Sequence, residues 1–435
     1  MRLVGKNVVI YGAGASGLSA YQLVRDKGAK AIIYDDKPDT PHATNSKGIL
    51  YSADVIVLSP GVNGFKEVLL DAKLENKLII SELELASEFC QAEQIAITGT
   101  NGKTTTTMLI DHILRRAGKS SYAVGNIGTP FSSIADRLDA TETAVIEVSS
   151  FQLESSIKFS PDTAVLLNIK PDHLERHGSM NKYVAAKANI FAHQSTQDIA
   201  IYNDDDDIIR GLVPNIVARK VPFSTTHPIK GGAYISSGFV CFDGAPVLEL
   251  EEVDMRGAEI ENLLATVAVC MTHGVSAYNV AAGAIEFERP HFRREKVANL
   301  DGVTIYNDSK ATNVSACVCA CEGMQGDTVL ILGGAKREEN FDDLFAELPD
   351  NIKAITVSGD NAKSIMESAK AAGYENIAVY DDIKSALFSA FDIAKANEYA
   401  NILFSPSSKS FDKFESYEMR GKHFNACVKE LRARL

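Results

Sequence analysis

Short continuous runs of hydrophobic residues recur along the chain and alternate with stretches in which apolar positions have helical spacing. Runs rich in Val and Ile are typical of strands buried on both faces, as in a parallel sheet covered by helices. The pattern therefore predicts an α/β fold. The runs lie at residues 8–11, 31–34, 55–58, 78–80, 94–98, 144–148, 163–169, 303–306, 329–332, 354–357, 377–380 and 402–404.

One segment breaks this alternation. At residues 232–250, glycine-rich turns separate short alternating runs, which predicts antiparallel hairpins. The periodicity is also interrupted near residues 91–93 and 286–295, where we place domain joints. The 435 residues suffice for about three domains of roughly 150 residues each. The predicted α/β domains are residues 1–92, 93–288 and 289–435.

The composition indicates a folded protein that binds neither nucleic acid nor membranes. Hydrophobic residues make up 45% of the chain, which excludes a disordered protein, and the net charge of −13 argues against nucleic acid and anionic membranes as partners. No run approaches the ~20 apolar residues of a membrane span, and the first residues resemble no secretion signal. Seven scattered cysteines are expected to be reduced thiols. We therefore expect a cytoplasmic enzyme.

A glycine-rich turn at residues 99–104, Gly-Thr-Asn-Gly-Lys-Thr, follows a buried run and opens a helix. Gly99 and Gly102 allow a tight turn in which several backbone N–H groups point at one anion, and the helix start adds partial positive charge. Lys103 is then placed to reach the β- and γ-phosphates of ATP, and Thr104 to offer its hydroxyl to Mg²⁺. The turn therefore predicts ATP binding.

Polar residues follow the next two strands. Glu147 lies at the end of a buried run, at the edge where open α/β sheets place their ligands, and a carboxylate there suits Mg²⁺. His173 and His177 stand four residues apart, which raises zinc as an alternative. Leu174 follows His173, however, so the H-E-x-x-H zinc motif is absent and zinc is the less favoured alternative.

Two other clusters receive structural interpretations. Cys317, Cys319 and Cys321 have no second Cys or His cluster to accompany them, so we interpret them as small residues of a buried helix rather than as metal ligands. The run of aspartates at residues 204–207 is interpreted as a solvated loop after a strand.

Two motifs carry a resemblance to a known family. The loop at 99–104 is shorter than the usual G-x-x-x-x-G-K-[ST] motif and resembles that of the Mur ligases and folylpolyglutamate synthases, which form amide bonds through an acyl phosphate. The turn at 307–313, Asn-Asp-Ser-Lys-Ala-Thr-Asn, matches the motif of the Mur ligases that add D-glutamate. This resemblance extends over nearly the whole chain. It implies Rossmann-like N- and C-terminal domains around a P-loop ATPase-like central domain with a small antiparallel part.

The same resemblance implies a function. The chain is expected to be a monomeric, cytoplasmic, ATP-dependent ligase that joins D-glutamate to UDP-N-acetylmuramoyl-L-alanine in peptidoglycan precursor synthesis. The expected ATP-binding residues are Gly99, Thr100, Asn101, Gly102, Lys103, Thr104, Thr105, Asn262, Arg293, Asp308 and Lys310. The expected ligands of two Mg²⁺ ions are Thr104, Glu147, His173 and a carbamylated Lys187. The expected catalytic residues are Lys103, Glu147, His173 and Lys187. The expected contacts of the UDP substrate are Ala15, Ser16, Asp35, Gly61, Asn126, Gln152 and His173, and those of D-glutamate are Thr312, Lys336, Ser410 and Tyr417.

The N-terminal turn supports a different enzyme when it is taken alone. Gly-Ala-Gly-Ala-Ser-Gly at residues 12–17 follows a strand, and Asp35 ends the second strand, which is a full dinucleotide-binding pattern typical of an NAD-dependent dehydrogenase. A nucleotide sugar also fits such a helix start, so these glycines suit both ligands. A dehydrogenase explains neither the loop at 99–104 nor the turn at 307–313. A non-catalytic nucleotide-binding switch is the third alternative.

Overall fold

The computed structural model describes residues 1–38, 42–64, 66–75, 77–336 and 341–435. In these ranges the chain forms three β-sheets, with helices between most strands. The strands are β1 Asn7–Tyr11, β2 Lys30–Tyr34, β3 Ala43–Thr44, β4 Val55–Leu58, β5 Leu78–Ser81, β6 Glu93–Thr98, β7 Ser121–Gly125, β8 Thr143–Glu147, β9 Thr163–Leu166, β10 Ile199–Asn203, β11 Arg219–Ser224, β12 Ala233–Ser236, β13 Phe239–Phe242, β14 Ala245–Glu249, β15 Glu295–Leu300, β16 Val303–Asn307, β17 Thr328–Leu332, β18 Ile352–Val357, β19 Ile377–Val379 and β20 Asn401–Phe404.

The α-helices are α1 Ala15–Asp26, α2 Gly48–Ser52, α3 Glu67–Leu74, α4 Glu82–Ser87, α5 Lys103–Arg116, α6 Ser150–Glu154, α7 Leu174–His177, α8 Met180–Ala188, α9 Asp207–Leu212, α10 Glu259–Thr272, α11 Ala277–Glu286, α12 Val314–Glu322, α13 Asp342–Glu347, α14 Ala362–Ala371, α15 Ile383–Ala396 and α16 Tyr417–Arg434. Within the described ranges, every helix is too short or too polar to cross a bilayer.

The first sheet is parallel and has the strand order β3-β2-β1-β4-β5. Its central strand β1 buries every residue after the first. The backbone then turns at Gly12, with φ +106°, and a Cβ atom on Gly17 would lie 1.8 Å from the carbonyl oxygen of Gly12. Glycine is therefore required where α1 packs against the end of β1, as in the dinucleotide-binding turn predicted there.

The second sheet has nine strands in the order β14-β13-β12-β11-β10-β9-β6-β8-β7. Its strands are parallel from β7 across to β12, and β12, β13 and β14 pair antiparallel. The hairpins predicted at residues 232–250 are confirmed. They continue the parallel sheet rather than forming a separate module.

The hydrophobic pattern missed β3, β7, β10, β11 and β15 and extended β9 by three residues. The edge strand β7 mixes buried and exposed positions, and β11 begins with exposed Arg219 and Lys220, so neither forms a continuous apolar run. After Leu166 the backbone leaves the sheet and approaches the glycine-rich loop, where the oxygens of Asn168 accept hydrogen bonds. The segment therefore contacts the loop through Asn168 while Leu167 and Ile169 stay buried, so its apolar residues alone do not mark the end of the strand.

The third sheet has the order β15-β16-β20-β17-β18-β19 and is parallel except for β15. Its core includes Phe404 and Phe424, whose stacked rings have centroids 4.4 Å apart. The chain divides into two compact units. The first unit, residues 1–253 and 261–287, contains the first two sheets, and the second unit, residues 254–260 and 288–435, contains the third. The predicted α/β fold is confirmed, while the three domain boundaries remain predictions.

The interpretation of residues 204–207 as a solvated loop after a strand is correct only in part, because the run does follow β10 and Asp207 is exposed, but residues 204–206 are half-buried. The carboxylate of Asp205 accepts hydrogen bonds from residues 224–226 at the end of β11. Asp206 caps α9 and accepts a hydrogen bond from the backbone N–H of Ile169 at 2.9 Å. These carboxylates join strand ends that are distant in sequence, which a local pattern of charges does not reveal.

The cysteines of α12 lie on a largely buried helix, as the sequence predicted. Cys317 and Cys321 are fully buried and Cys319 is half-buried. Across the described ranges, no three His, Cys, Asp or Glu side chains are grouped so that they could hold a metal ion.

Candidate active site

The glycine-rich loop connects β6 to α5 in the first unit. Gly102 precedes the helix with φ +83°, and a Cβ atom there would lie 2.0 Å from Oδ1 of Asn262. A Cβ atom on Gly99 would lie 2.9 Å from Cβ of Leu167. The loop therefore packs closely against α10 on one side and the segment after β9 on the other, and both contacts require glycine.

Two lysine side chains meet at the carbonyl oxygen of Gly99. Lys103 Nζ donates to this oxygen and to the carbonyl oxygen of Thr100, both at 2.8 Å, and Lys187 Nζ donates to the Gly99 oxygen at 2.7 Å. Lys187 is 1% exposed. Burial, together with the nearby charge of Lys103, holds the pKa of Lys187 well below its usual range. The structure therefore places two lysine nitrogens at one carbonyl oxygen, and the buried one has the lowered pKa.

Oxygen and amide groups gather on the other side of the helix start. The hydroxyl of Thr104 donates to Oε2 of Glu147 at 2.5 Å, and Asn126 Nδ2 donates to Oε1 of the same carboxylate at 3.1 Å. Glu147 is 3% exposed at the end of β8. A hydroxyl and a carboxylate in contact beside a phosphate-type loop are the oxygen ligands that Mg²⁺ prefers.

Asn168 holds the loop in place, a role that the sequence did not reveal. Its carbonyl oxygen accepts from the backbone N–H of Thr100 at 3.0 Å, and its Oδ1 accepts from the N–H of Asn101 at 2.9 Å. These two N–H groups therefore bind Asn168 rather than pointing at an anion, contrary to the expectation for the turn. The hydroxyl of Thr100 also lies 3.1 Å from the hydroxyl of Tyr183.

A half-buried carboxylate that the sequence analysis did not single out contacts the side chain of Asn168. Glu261 Oε2 accepts a hydrogen bond from Asn168 Nδ2 at 3.4 Å. Burial raises the pKa of Glu261 to about 7, although the hydrogen bond from Asn168 opposes this shift. Its charge therefore changes near neutral pH, beside the asparagine that holds the loop.

The two histidines have different environments. His173 precedes α7 with φ 55° and a side chain that is 37% exposed, and its ring centroid lies 5.0 Å from that of Phe151. His177 is buried, with its ring nitrogens 3.0 Å from the hydroxyl of Ser150 and 3.2 Å from Glu154 Oε1. Burial lowers the pKa of His177 to about 4. Because both of its ring nitrogens already have polar partners, we interpret His177 as a structural residue rather than a partner of His173 in a zinc site.

A cleft of about 520 Å³ lies between the first sheet and the loop after β7. Five of the residues predicted to bind the UDP substrate line it, namely Ala15, Ser16, Asp35, Gly61 and Asn126. Gln152 and His173 are not among its lining residues. Gln152 is buried and caps α6, and within the described ranges its Nε2 has no hydrogen-bond partner.

The polar lining of this cleft includes a cluster that the sequence analysis missed. Lys66 donates to the hydroxyl of Tyr11 at 3.0 Å and to the carboxylate of Asp36, which also accepts from Tyr11. Burial raises the pKa of Tyr11 to about 12. Asp35 accepts from the backbone N–H of Ala13 at 2.8 Å, so this carboxylate already supports the glycine turn.

Thr105 lies in the first turn of α5, and the remaining predicted residues lie in the second unit. Both carboxylate oxygens of Asp308 are occupied, one by the backbone N–H of Arg294 at 3.1 Å and the other by the hydroxyl of Ser405 at 2.7 Å. Burial raises the pKa of Asp308 to about 7. Lys310 Nζ lies 3.9 Å from the centre of the Tyr417 ring, which brings an ATP-binding and a D-glutamate-binding candidate into contact. The side chains of the other candidates differ in exposure: Ser410 is buried, Arg293 and Thr312 are half-buried, and Lys336 is exposed.

Two protein-family models match the chain, the Mur ligase middle domain over residues 97–269 and the Mur ligase glutamate ligase domain over residues 292–408. The UDP-N-acetylmuramoylalanine–D-glutamate ligases of Acidobacterium capsulatum and Pelotomaculum thermopropionicum are 38% and 36% identical to it. Each alignment covers 98% of this chain, and 97% and 98% of the respective relatives. The chain belongs to the Mur ligase family. This finding confirms the resemblance seen in the sequence and removes the dehydrogenase alternative.

Solved Mur ligases share the fold. UDP-N-acetylmuramate–alanine ligase MurC from Thermotoga maritima aligns with a TM-score of 0.64 and 18% identity, over 99% of this chain and 100% of its own. The MurF ligase of the same organism, solved in complex with ADP, aligns with a TM-score of 0.60 and 18% identity, over 100% of this chain and 96% of its own. The roles of single residues remain predictions.

The close approach of Gly102 to Asn262 gives a testable prediction. Gly102→Ala is expected to weaken ATP binding at least about tenfold, because the new Cβ atom displaces the loop and a left-handed alanine adds strain. Gly118→Ala is a matched control, since Gly118 has φ +82° and open space around its Cβ position. Calorimetric titration with ATP should distinguish the two variants. Equal affinities would contradict the role assigned to this contact.

A second prediction concerns pH. Above about pH 7 the carboxylate of Glu261 is charged and opposes a bound polyanion, so ATP affinity should fall as pH rises through neutrality. Glu261→Gln should flatten this dependence by roughly threefold to tenfold, since one pKa unit corresponds to about 1.4 kcal/mol. The exposed Glu251→Gln is the control. Identical pH profiles of ATP affinity in the wild type and Glu261→Gln would rule out this electrostatic coupling.

Proposed function

We propose that this chain is an ATP-dependent ligase that joins D-glutamate to UDP-N-acetylmuramoyl-L-alanine through an acyl phosphate, in cytoplasmic peptidoglycan precursor synthesis. One observation carries the proposal. Lys103, Thr104, Glu147 and Lys187 surround a single phosphate-type loop in a Mur ligase whose full-length curated relatives bear the D-glutamate ligase name.

The first step is phosphoryl transfer. The carboxylate of the L-alanyl group attacks the γ-phosphorus of ATP, and ADP leaves. Lys103 exchanges the carbonyl oxygens of Gly99 and Thr100 for phosphate oxygens, so that its charge offsets the charge on the transferred group. The nitrogen of D-glutamate then attacks the acyl carbonyl, phosphate leaves, and the amine loses a proton as the amide forms.

The polar groups beside the loop fit a magnesium ion. Thr104 and Glu147 supply a hydroxyl and a carboxylate oxygen in direct contact, and Mg²⁺ held there would neutralise charge on the phosphoryl oxygens. His173 and a modified Lys187 are proposed to hold a second ion.

The buried amine of Lys187 is suited to carbamylation. A neutral amine attacks carbon dioxide, an N–C bond forms, and the nitrogen loses a proton. The product is a carbamate whose oxygens are carboxylate-like ligands. The lowered pKa of Lys187 favours the unprotonated, nucleophilic form of the amine, and Lys103 lies beside it at the Gly99 oxygen.

The UDP substrate is assigned to the first unit and D-glutamate to the second. The cleft lined by Ala15, Ser16 and Asn126 is proposed to receive the UDP end of the muramoyl substrate. Thr312, Lys336, Ser410 and Tyr417 are proposed to bind D-glutamate. The remaining ATP contacts are proposed at Thr105, Asn262, Arg293, Asp308 and Lys310.

An assay of ADP release tests the proposed reaction. ADP should form only when both UDP-N-acetylmuramoyl-L-alanine and D-glutamate are present, and other amino acids should give slower turnover. Lys103→Ala should reduce turnover by at least about 10²-fold, as is typical of losing a charge-stabilising donor, whereas the exposed Lys158→Ala should not. Faster turnover with L-lysine or diaminopimelate would assign the chain to another branch of the family. ATP binding without turnover would indicate a nucleotide-binding switch.

Carbamylation of Lys187 is tested by carbon-13 NMR. Protein equilibrated with ¹³C-labelled bicarbonate should show one carbamate resonance that disappears in Lys187→Arg, since arginine stays cationic and cannot form the carbamate. Lys182→Arg, on the exposed face of the same helix, should retain the signal. A spectrum without a carbamate resonance in the active wild-type enzyme would disprove the modification.

A further inference from the structure

Three turns of the second unit carry candidates for binding D-glutamate. Residues 308–312 end at Thr312, residues 333–336 end at Lys336, and residues 405–410 end at Ser410. A dicarboxylate is recognised at both of its ends, so the spacing between these turns determines which acidic amino acid fits. The residues that fix this spacing are therefore expected to influence the choice of amino-acid substrate.

A buried arginine on α16 joins two of the turns. Arg420 is 1% exposed. Its Nε donates to the hydroxyl of Ser309 at 3.0 Å, its Nη2 donates to the carbonyl oxygen of Ser309 at 2.7 Å, and its Nη1 donates to the carbonyl oxygen of Ser408 at 2.8 Å. The hydroxyl of Ser309 in turn donates to the carbonyl oxygen of Tyr417 at 2.9 Å, which ties the start of the helix to the same group.

A buried asparagine joins the third turn to this pair. Asn361 Nδ2 donates to the hydroxyl of Ser408 at 2.6 Å, and Asn361 Oδ1 accepts from the backbone N–H of Gly334 at 3.0 Å. Asn361 is also 1% exposed. Ser408 therefore contacts both residues: its carbonyl oxygen accepts from Arg420 and its hydroxyl oxygen accepts from Asn361.

The packing leaves these turns little freedom to shift. A Cβ atom on Gly334 would lie 2.6 Å from the carbonyl oxygen of Lys409 and 3.0 Å from Nη1 of Arg420. Burial lowers the pKa of Arg420 to about 10, and the carboxylates of Asp412 and Asp308 oppose this shift, so the guanidinium remains charged at neutral pH. The charge strengthens its hydrogen bonds to carbonyl oxygens.

We propose that Arg420 is a positioning residue for the acidic amino-acid substrate. Its guanidinium sets the distance between the turns that carry Thr312 and Ser410, and Asn361 extends this framework to the turn that carries Lys336. The planar fork of an arginine donates to both turns at fixed angles, whereas a lysine is a single point charge on a flexible stem. The inference rests on the proposed function, because it names D-glutamate as the ligand of these turns.

The test compares Arg420→Lys with Arg432→Lys, the same substitution at an exposed position of the same helix. In the ADP-release assay, Arg420→Lys should raise KM for D-glutamate at least about tenfold and leave KM for ATP and for the UDP substrate within about twofold. The preference for D-glutamate over D-aspartate, one methylene shorter, should fall about tenfold in kcat/KM, because relaxed turns no longer hold one carboxylate spacing. Arg432→Lys should match the wild type.

A second variant covers the case in which Arg420→Lys does not fold. Asn361→Ala should change the same two quantities in the same direction, with thermal unfolding measured in parallel. A lower kcat with unchanged KM for D-glutamate and unchanged preference over D-aspartate would overturn the inference, because loss of folded protein alone produces that result. ADP release by the wild type that does not depend on D-glutamate would instead contradict the proposed function, and with it the ligand named here.

Discussion

The carbonyl oxygen of Gly99 accepts hydrogen bonds from two lysines, and the chemistry of the first unit depends on this arrangement. Lys187 Nζ lies 2.7 Å from that oxygen and Lys103 Nζ lies 2.8 Å from it. Two cations so close together, one of them fully buried, repel each other strongly in a medium of low dielectric constant. Burial and this repulsion lower the pKa of Lys187, which favours the nucleophilic form of its amine. Carbamylation needs such an amine, and phosphate binding needs the lysine beside it, so one contact serves both proposed roles.

The loop holds this arrangement because its backbone is fixed from two sides. Asn168 takes up the N–H groups of Thr100 and Asn101, and the packing of Gly102 against Asn262 positions the start of α5. An anion that binds at the loop would therefore meet Lys103 and the helix start, because the N–H groups of Thr100 and Asn101 are already taken up. This arrangement places more of the binding on one side chain than the sequence motif suggests.

Sequence patterns predicted the parts of the molecule that are governed by local chemistry. Continuous Val and Ile runs marked most of the buried strands, and the Gly-Lys-Thr turn marked the loop, because both depend on residues adjacent in the chain. The burial of Lys187 was not visible, since a lysine in an Ala-rich helix is normally exposed and its burial depends on the loop after β6. Arg420 was likewise hidden, because it stands in a helix rich in charged residues and its partners lie 12 and 111 positions away. Long-range contacts of single polar groups leave no periodic signal.

The same device recurs in both units. The chain carries a net charge of −13, yet its proposed substrates are all anions, so its overall field opposes their binding. At two of these sites a cation donates to backbone carbonyl oxygens, Lys103 to Gly99 and Thr100 and Arg420 to Ser309 and Ser408, whereas Lys66 at the cleft contacts the carboxylate of Asp36. A carbonyl dipole accepts the hydrogen bonds of a cation and leaves its positive charge in place. A neighbouring carboxylate would neutralise that charge. Positive potential is thereby retained at the places where phosphate and carboxylate groups are proposed to bind, in a protein that is otherwise negative.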